Sequence, residues 1–498
     1  MSVLPPLPTR RWMLTALMAG VAAPGCAEAP ARSIRPATRS SAGAAPAATA
    51  KGTQGPGLGA MVEAARLGGK TSLMLLDAQS GRVLEALNEG AALPPASTLK
   101  ALTALYALDR LGPAHRWTTR LLGTGTVGGG TLNGDLILLG GGDPTLSADG
   151  LGDLAAALAA RGVKRISGRF LVSGAALPHV DRIDPEQPEY VGYNPTLSGM
   201  ILNHNRVYCE WRRAGQGWSF AMDARAERFV PAVSMASVRA VNRDAPLFAY
   251  AQGDGMDRWT VSAAALGNGG SRWLPVRQPE LYAGDVFRTL ARAQGITLPA
   301  PTVTTAAPGG TALAQVSSDG LIPVMRDCLK YSTNITAEAV GIASSGASSL
   351  PASAARMADW ARGRYGIGAR LVDHSGLGGS ARMAAADMAQ ALLRGRGSGL
   401  PAMLREHGLR DAKGKQVQGS PVRVPAKTGT LNFASGLAGY IQPPGGREMV
   451  FAIFSADVDR RSALSRAERE QPSGGPQWTS RARGLQNALV ARWVGRFA

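Results

Sequence analysis

Three short strings carry residues able to do acyl-transfer chemistry: Ser97-Thr98-Leu99-Lys100, Ser332-Thr333-Asn334 and Lys427-Thr428-Gly429-Thr430. A serine hydroxyl is a poor nucleophile until a nearby base takes its proton. Residues three apart on a helix share a face, so a helix starting at Ser97 brings Lys100 beside it. A lysine held among buried or positive groups loses affinity for its proton and can act as that base. The helix N-terminus adds a field that favours an oxyanion. Lys427 and Thr428 offer a cation and a hydroxyl to a substrate carboxylate, and Gly429 lets a ligand lie along a strand. The backbone N–H groups of Ser97 and Thr430 are candidate oxyanion donors. Ser332 and Asn334 could pass a proton to a leaving amine and hold a substrate amide. Each string alone also reads blandly: a surface Ser and Lys, a strand running into a turn, a helix cap.

The elements around these strings decide between the readings. Pro94-Pro95-Ala96 precedes an Ala- and Leu-rich helical run, Thr98 to Leu111, that stops at Gly112-Pro113. Strands are predicted at Thr71–Asp77 and Arg82–Leu87, after a helix at Met61–Arg66. From about residue 119 short apolar runs alternate with Gly-rich turns such as Gly140-Gly141-Gly142-Asp143-Pro144, a β-rich texture. Helices are expected at Leu151–Arg161 and Ala283–Ala293, and strands at Ile166–Val172 and Trp259–Ala264. Helices return at Leu321–Tyr331, Ile335–Ser345, Pro351–Tyr365 and Met383–Leu393, so Ser332 and Asn334 fall at a helical junction. A strand at Val422–Thr428, a hairpin of Gly436–Ile441 and Met449–Ser455, and a helix at Leu485–Arg496 close the chain. Strands at both ends, helices between them and a β-rich interruption make an α/β (α+β) chain.

Length and composition narrow the function. The 498 residues carry a net charge of +19, and of 54 basic residues only eight are lysines, two of them in the strings above. Three cysteines (26, 209 and 328) make neither a disulfide framework nor a Cys-only zinc site, and the five histidines lack metal-binding spacing. No metal or cofactor is therefore expected. No nucleic-acid motif accompanies the basic charge, and no apolar run reaches the eighteen residues of a spanning helix. Residues 1–29 read as a secretory signal: Arg10 and Arg11, an apolar Trp12–Ala23, then Ala27-Glu28-Ala29 as cleavage site. The paired arginines fit a twin-arginine route. Cys26 could mark a lipoprotein, but Pro24 and the lack of Leu or Val three residues before it argue against that. Cleavage leaves +18 on a chain expected beside anionic envelope polymers. Residues 30–60, rich in Ala, Pro, Gly, Ser and Thr, read as a flexible linker.

S-x-x-K opening a helix, S-x-N in a helical junction and K-T-G on a strand of a C-terminal sheet form the signature of penicillin-recognising serine enzymes. The long interval between Ser97 and Ser332 resembles the class C low-molecular-mass penicillin-binding proteins, the D-alanyl-D-alanine carboxypeptidase/endopeptidase family. Gly134-Asp135-Leu136 with Gly142-Asp143-Pro144-Thr145-Leu146, and Asp373-His374-Ser375-Gly376-Leu377, resemble two further stretches of that family. The resemblance implies a transpeptidase-like catalytic domain at 61–118 and 319–498. It implies an inserted β-rich domain at 119–145 and 219–318, with a second, 146–218, nested in it. It also implies that Ser97 is the nucleophile and Lys100 its base. Ser332 and Asn334 would move protons and hold the peptide, Lys427, Thr428 and Gly429 would bind the terminal D-alanine carboxylate, and Thr430 and Ser97 would form the oxyanion hole. Asn432 is a further candidate contact, and Asp181 another. Peptidoglycan stem peptides would be the substrates and β-lactams the inhibitors, in the periplasm.

Two departures stand out. Gly378-Gly379 occupy the place of the family's Ser-Arg, with Arg382 a little later, which bears on the preference for the stem-peptide side chain. His374 replaces a glycine and is expected to be a loop-packing residue. A serine β-lactamase would need a deacylating Glu in an E-x-x-L-N string after S-x-N; the nearest string, Glu85-Ala86-Leu87-Asn88, lies before Ser97. A non-catalytic wall-binding module is the other rival, and an intact nucleophile set would be an odd remnant in it.

Overall fold

The computed structural model describes residues 57–498 except 245, 412, 413 and 470. The expected signal and nearly all of the linker lie outside the described residues. The described chain opens with α1 (Leu58–Ala64), β1 (Lys70–Asp77) and β2 (Val83–Leu87), then a 3-10 turn, Ala96–Thr98, that runs into α2 (Leu99–Arg110). The first helix thus starts at Leu58, three residues before the Met61 read from the sequence.

Next come β3 (Thr118–Gly123), β4 (Leu136–Leu139), α3 (Ala148–Ala160), β5 (Phe170–Ser173), β6 (Arg206–Ala214) and β7 (Gly217–Asp223). They are followed by β8 (Ala236–Val241), β9 (Phe248–Gly253), β10 (Met256–Ser262), β11 (Gly269–Pro275), α4 (Pro279–Ala293), β12 (Pro301–Thr304) and β13 (Thr311–Ser317). One mixed sheet has the order β12-β5-β4-β3-β13, and two three-stranded sheets have the orders β7-β6-β11 and β8-β10-β9. Strand β5, from within 146–218, pairs in parallel with β4, from within 119–145. These strands and helices share a core of their own, with Trp259, Tyr282 and Phe287 fully buried.

The chain then returns through α5 (Leu321–Tyr331), α6 (Asn334–Ser345), α7 (Leu350–Tyr365), α8 (Ala385–Gly395), β14 (Arg405–Glu406), β15 (Pro425–Leu431), β16 (Ala434–Ile441), β17 (Met449–Ala456) and α9 (Gly475–Phe497). An antiparallel sheet with the order β14-β15-β16-β17-β1-β2 joins strands from the two ends of the chain. Its period-2 alternation sorts two cores. Val450, Ala452 and Phe454 pack with α2, α5, α7 and α8, whereas Met449, Phe451 and Ile453 pack with α9. A strand buried on both faces reads as an unbroken apolar run, as Met449–Ala456 does. Helix α2 is buried from Leu99 to Ala107 and is the central post of the helices packed on this sheet.

Two boundaries differ from the sequence reading. The strand placed at Val422–Thr428 runs Pro425–Leu431, so Lys427-Thr428-Gly429-Thr430 lies wholly inside it rather than at its end. The last helix starts at Gly475 instead of Leu485, after a left-handed Gly474 and with Pro476 in its first turn.

Candidate active site

Ser97 sits in the 3-10 turn ahead of α2, half-buried, behind an Ala96 held at φ +49. A non-glycine residue in that region stores on the order of 1–3 kcal/mol of strain, which the surroundings must overcome. The Thr98 hydroxyl donates to the Pro95 carbonyl at 2.6 Å and fixes the turn from below. Strand β15 lies against the turn: a Cβ on Gly429 would stand 2.9 Å from the Ser97 nitrogen and 3.0 Å from Ala96 Cβ. From the other side Gly376, at φ +75, approaches so closely that a Cβ there would lie 1.9 Å from the Ala96 carbonyl oxygen.

Lys100, the second residue of α2 and one turn after Ser97, is fully buried. Its Nζ is 3.0 Å from Ser97 Oγ, 2.8 Å from Asn334 Oδ1 and 2.8 Å from the Ser375 carbonyl oxygen. Two of the three partners can only accept hydrogen bonds. A neutral amine has two N–H donors for them and one lone pair left for the Ser97 hydroxyl proton. Burial pulls the Lys100 pKa down to about 8, against the opposing pull of Cys328, Glu338 and Asp373. The geometry and the charge balance therefore agree on a lysine able to accept a proton.

The helical junction takes the form read from the sequence. Ser332 caps α5 in the left-handed region (φ 60, ψ 38), Thr333 leads into α6, and Asn334 opens it. Lys427, 2% exposed, donates to Ser332 Oγ at 3.0 Å and to the Thr428 carbonyl at 2.8 Å. Burial, and then repulsion from Lys100, brings its pKa down to about 7. Lys100 thus gathers Ser97 and Asn334, and Lys427 gathers Ser332.

Strand alternation gives Thr428 and Thr430 the opposite face from Lys427 and Gly429. Both threonines are exposed and line a cavity of about 500 Å³, and Thr430 also lines one of about 880 Å³ with Leu431 and Asn432. Ser97 and Lys100 line neither. Outward of the short pairing with β14 at Pro425 and Ala426, the edge of β15 from Lys427 onward has no strand partner among the described residues. Asn432 Nδ2 donates to the Arg469 carbonyl, and its own carbonyl accepts from Arg461 at 3.1 Å. Asp181 stands apart, 89% exposed at its side chain and paired with His179 at 3.0 Å.

Several positioning groups were not legible in the sequence. Glu338, fully buried four residues after Asn334, accepts the N–H groups of His374 at 2.9 Å and Ser375 at 2.8 Å. It thereby holds the loop whose Ser375 carbonyl faces Lys100. Asp373 closes the same loop on the N–H groups of Gly376 and Gly378. Burial, together with the proximity of the two carboxyls, raises the Glu338 pKa. An acid in the run Ile335–Ile342, which holds one other polar residue, Thr336, was the available signal. The second group is a backbone one: the Tyr193 carbonyl, from the inserted segment, accepts Asn334 Nδ2 at 2.9 Å and turns Oδ1 toward Lys100.

The other expectations resolve as follows. His374 is a packing residue: fully buried, with Nε2 2.7 Å from Ser353 Oγ, its ring stacked on Tyr106 and occupying the space where Gly341 would carry a Cβ. Burial lowers its pKa to about 3, so it stays neutral. Arg382 donates to the Gly379 and Ala381 carbonyls, while Arg461 fills the space beside Gly379, 2.7 Å from where a Cβ would be. Glu85 is committed to the last helix, accepting from Arg492, Trp493 and Arg496. Cys209 and Cys328 are both free and buried.

A family model described as the D-Ala-D-Ala carboxypeptidase 3 (S13) family matches residues 57–473. A D-alanyl-D-alanine carboxypeptidase of Actinomadura sp. is 26% identical over 420 residues, covering 78% of this chain and 78% of its own. A carboxypeptidase of Mycobacterium tuberculosis is 28% identical over 410 residues, covering 78% of this chain and 77% of its own. The crystal structure of penicillin binding protein 4 from Haemophilus influenzae superposes with a TM-score of 0.70 at 19% identity, covering 87% of this chain and 99% of that one.

Proposed function

The chain belongs to the D-Ala-D-Ala carboxypeptidase 3 (S13) family of serine-type hydrolases, and on that premise we propose that it removes the terminal D-alanine of peptidoglycan stem peptides through an ester on Ser97. Ser97 Oγ attacks the carbonyl carbon of the penultimate D-alanine as its proton passes to Lys100 Nζ. The oxyanion of the tetrahedral intermediate is taken by the N–H groups of Ser97 and Thr430, groups held in place before the charge develops. As the C–N bond breaks, the proton taken up by Lys100 passes by way of the Ser332 hydroxyl, held by Lys427, to the leaving amine, and D-alanine departs with Lys100 neutral and Ser332 protonated again. Water then attacks the ester, Lys100 again takes the proton, and Ser97 is regenerated. Asn334 holds the substrate amide; Thr428 and Thr430 meet the terminal carboxylate along the edge of β15, and Gly429 leaves the space. Asn432 is a further contact beyond Thr430. The same step on a crosslinked peptide is endopeptidase cleavage, and a β-lactam acylates Ser97 in place of the peptide.

The observation that carries this reading is the set of three partners around Lys100 Nζ, two acceptors and the Ser97 hydroxyl. The β-lactamase rival loses its one candidate base, because Glu85 is tied to the last helix. We place the enzyme in the periplasm on the strength of the leader at 1–29. Among the described residues no helix is long and apolar enough to cross a membrane. We retain 61–118 with 319–498 as the catalytic part and the intervening segments as insertions that brace it through Tyr193. The test is release of D-alanine from a stem peptide ending in D-Ala-D-Ala, measured for the full chain and for Ser97→Ala. Release by the wild type alone is expected; equal release by both would overturn the reading.

A further inference from the structure

A peptide that ends in a free α-carboxylate brings a full negative charge to the edge of β15, and neither lysine of the site is placed to neutralise it. Lys427 Nζ is engaged by Ser332 Oγ and the Thr428 carbonyl, and the residue is 2% exposed. Lys100 is enclosed with three partners. Burial brings both toward neutrality near physiological pH.

On the opposite face, where Thr428 and Thr430 project, the charges are different. Arg483, from α9, lies with Nη2 3.5 Å from Thr430 Oγ1. It lines both the 880 Å³ and the 500 Å³ cavity, as does Arg410, and Arg405 lines the smaller one. All three side chains are exposed, and among the described residues none forms an ion pair. Glu406, the acid on the wall of the smaller cavity, is occupied by Arg423 at 3.5 Å and by the Val424 N–H. A guanidinium keeps its charge at every working pH and presents parallel N–H donors that match a carboxylate.

We propose that Arg483 is the fixed cation that reads the α-carboxylate of the leaving residue, with the Thr428 and Thr430 hydroxyls as its co-donors. The strand then divides the labour by its alternation: Lys427 and Gly429 serve the reacting bond, Thr428 and Thr430 with Arg483 serve the terminus. Arg405 and Arg410 supply a more distant field that draws anionic peptide ends to the cleft. Each leaving residue with a free α-carboxylate, whether D-alanine or the amino end of a crosslink, fits this site.

The inference rests on the peptidase reading above, and the experiment separates the two. The full chain, Arg483→Gln and Arg483→Lys are assayed for kcat and KM on one stem peptide ending in D-Ala-D-Ala, as the free acid and as the C-terminal amide. Arg483 is exposed on α9, so folding is expected to survive its replacement, and thermal unfolding checks this. Loss of a charge-assisted pair is expected to lower kcat/KM on the acid about 10- to 100-fold. The loss should fall mainly on KM, with about threefold change or less on the amide. Arg483→Lys recovers part of the loss. An unchanged acid rate in Arg483→Gln, or equal losses on acid and amide, overturns the inference alone. No release from either peptide by the wild type overturns the peptidase reading and the inference with it.

Discussion

The lowered basicity of Lys100 makes a quantitative demand on the pH dependence of acylation. The perturbation is pH itself. An ordinary lysine, with its pKa near 10.5, is neutral in about 0.03% of molecules at pH 7. With the value brought down to about 8 by burial, about a tenth of molecules carry a neutral lysine at pH 7, roughly 300 times more. If Lys100 is the base, the acylation rate constant rises about tenfold per pH unit from pH 5 to 7 and levels off above about 8. Lys427, at about 7, titrates in the same region and bends the upper part of the limb. The assay is stopped-flow acylation by a chromogenic β-lactam, pH 5 to 10, with ionic strength held constant. The same shifts give a stability window. Both lysines bind fewer protons folded than unfolded between about pH 7 and about 10.5, so stability against urea should rise through that interval. An acylation rate that is flat between pH 5 and 7, or that keeps climbing tenfold per unit beyond pH 9, would refute a buried, easily deprotonated Lys100 as base.

Other expectations follow from single contacts. Glu338→Gln puts an NH2 group against one of two backbone N–H donors; an unsatisfied buried donor costs about 1–3 kcal/mol. Urea unfolding should move to lower concentration and acylation should slow as the Ser375 carbonyl loosens; no change in either contradicts the loop-holding role. Gly376→Ala adds a Cβ 1.9 Å from the Ala96 oxygen in a backbone conformation at φ +75, so β-lactam labelling should fall at least tenfold; normal labelling would show that the turn before Ser97 moves freely. Glu85→Gln should lower the unfolding temperature, because it weakens the contacts to Arg492 and Trp493, while leaving acyl-enzyme lifetime unchanged. A longer lifetime would revive Glu85 as a deacylating base.

The reactive side chains were legible because their chemistry is written in residue type and local spacing. Ser97 and Lys100 lie three apart on one helix, Ser332 and Asn334 flank a helical junction, and Lys427 to Thr430 follow one strand. The groups that position them were hidden for separate reasons. The Ser375 and Tyr193 carbonyls belong to the backbone, which every residue has, so no residue type marks them. Glu338 is separated from the loop it holds by a whole helix, and only its place in an apolar run hinted at burial. Arg483 reaches Thr430 through the packing of α9 on the sheet, and the start of that helix was missed because only Trp478 and Ala482 continue the apolar face of Leu485 and Leu489 through its first ten residues, among glycine, proline and polar residues. The strand at Pro425–Leu431 was displaced by three residues in the sequence reading because Val422 and Val424 mimic its alternation, whereas Gly429 weakens it. In the inserted half the helices near 151–161 and 283–293 were legible, but segment 174–200, dense in proline, was not: it folds into turns and bridges that carry no periodicity.

The central claim is that Ser97, activated by Lys100, carries the acyl group. Intact-protein mass spectrometry after brief exposure to benzylpenicillin tests it most directly, on the wild type, Ser97→Ala and Lys100→Met. The account predicts one added penicilloyl group on the wild type, mapped to the peptide holding Ser97, none on Ser97→Ala, and at least a hundredfold slower addition on Lys100→Met. A penicilloyl group on Ser97→Ala, or none on a folded wild type, would contradict it.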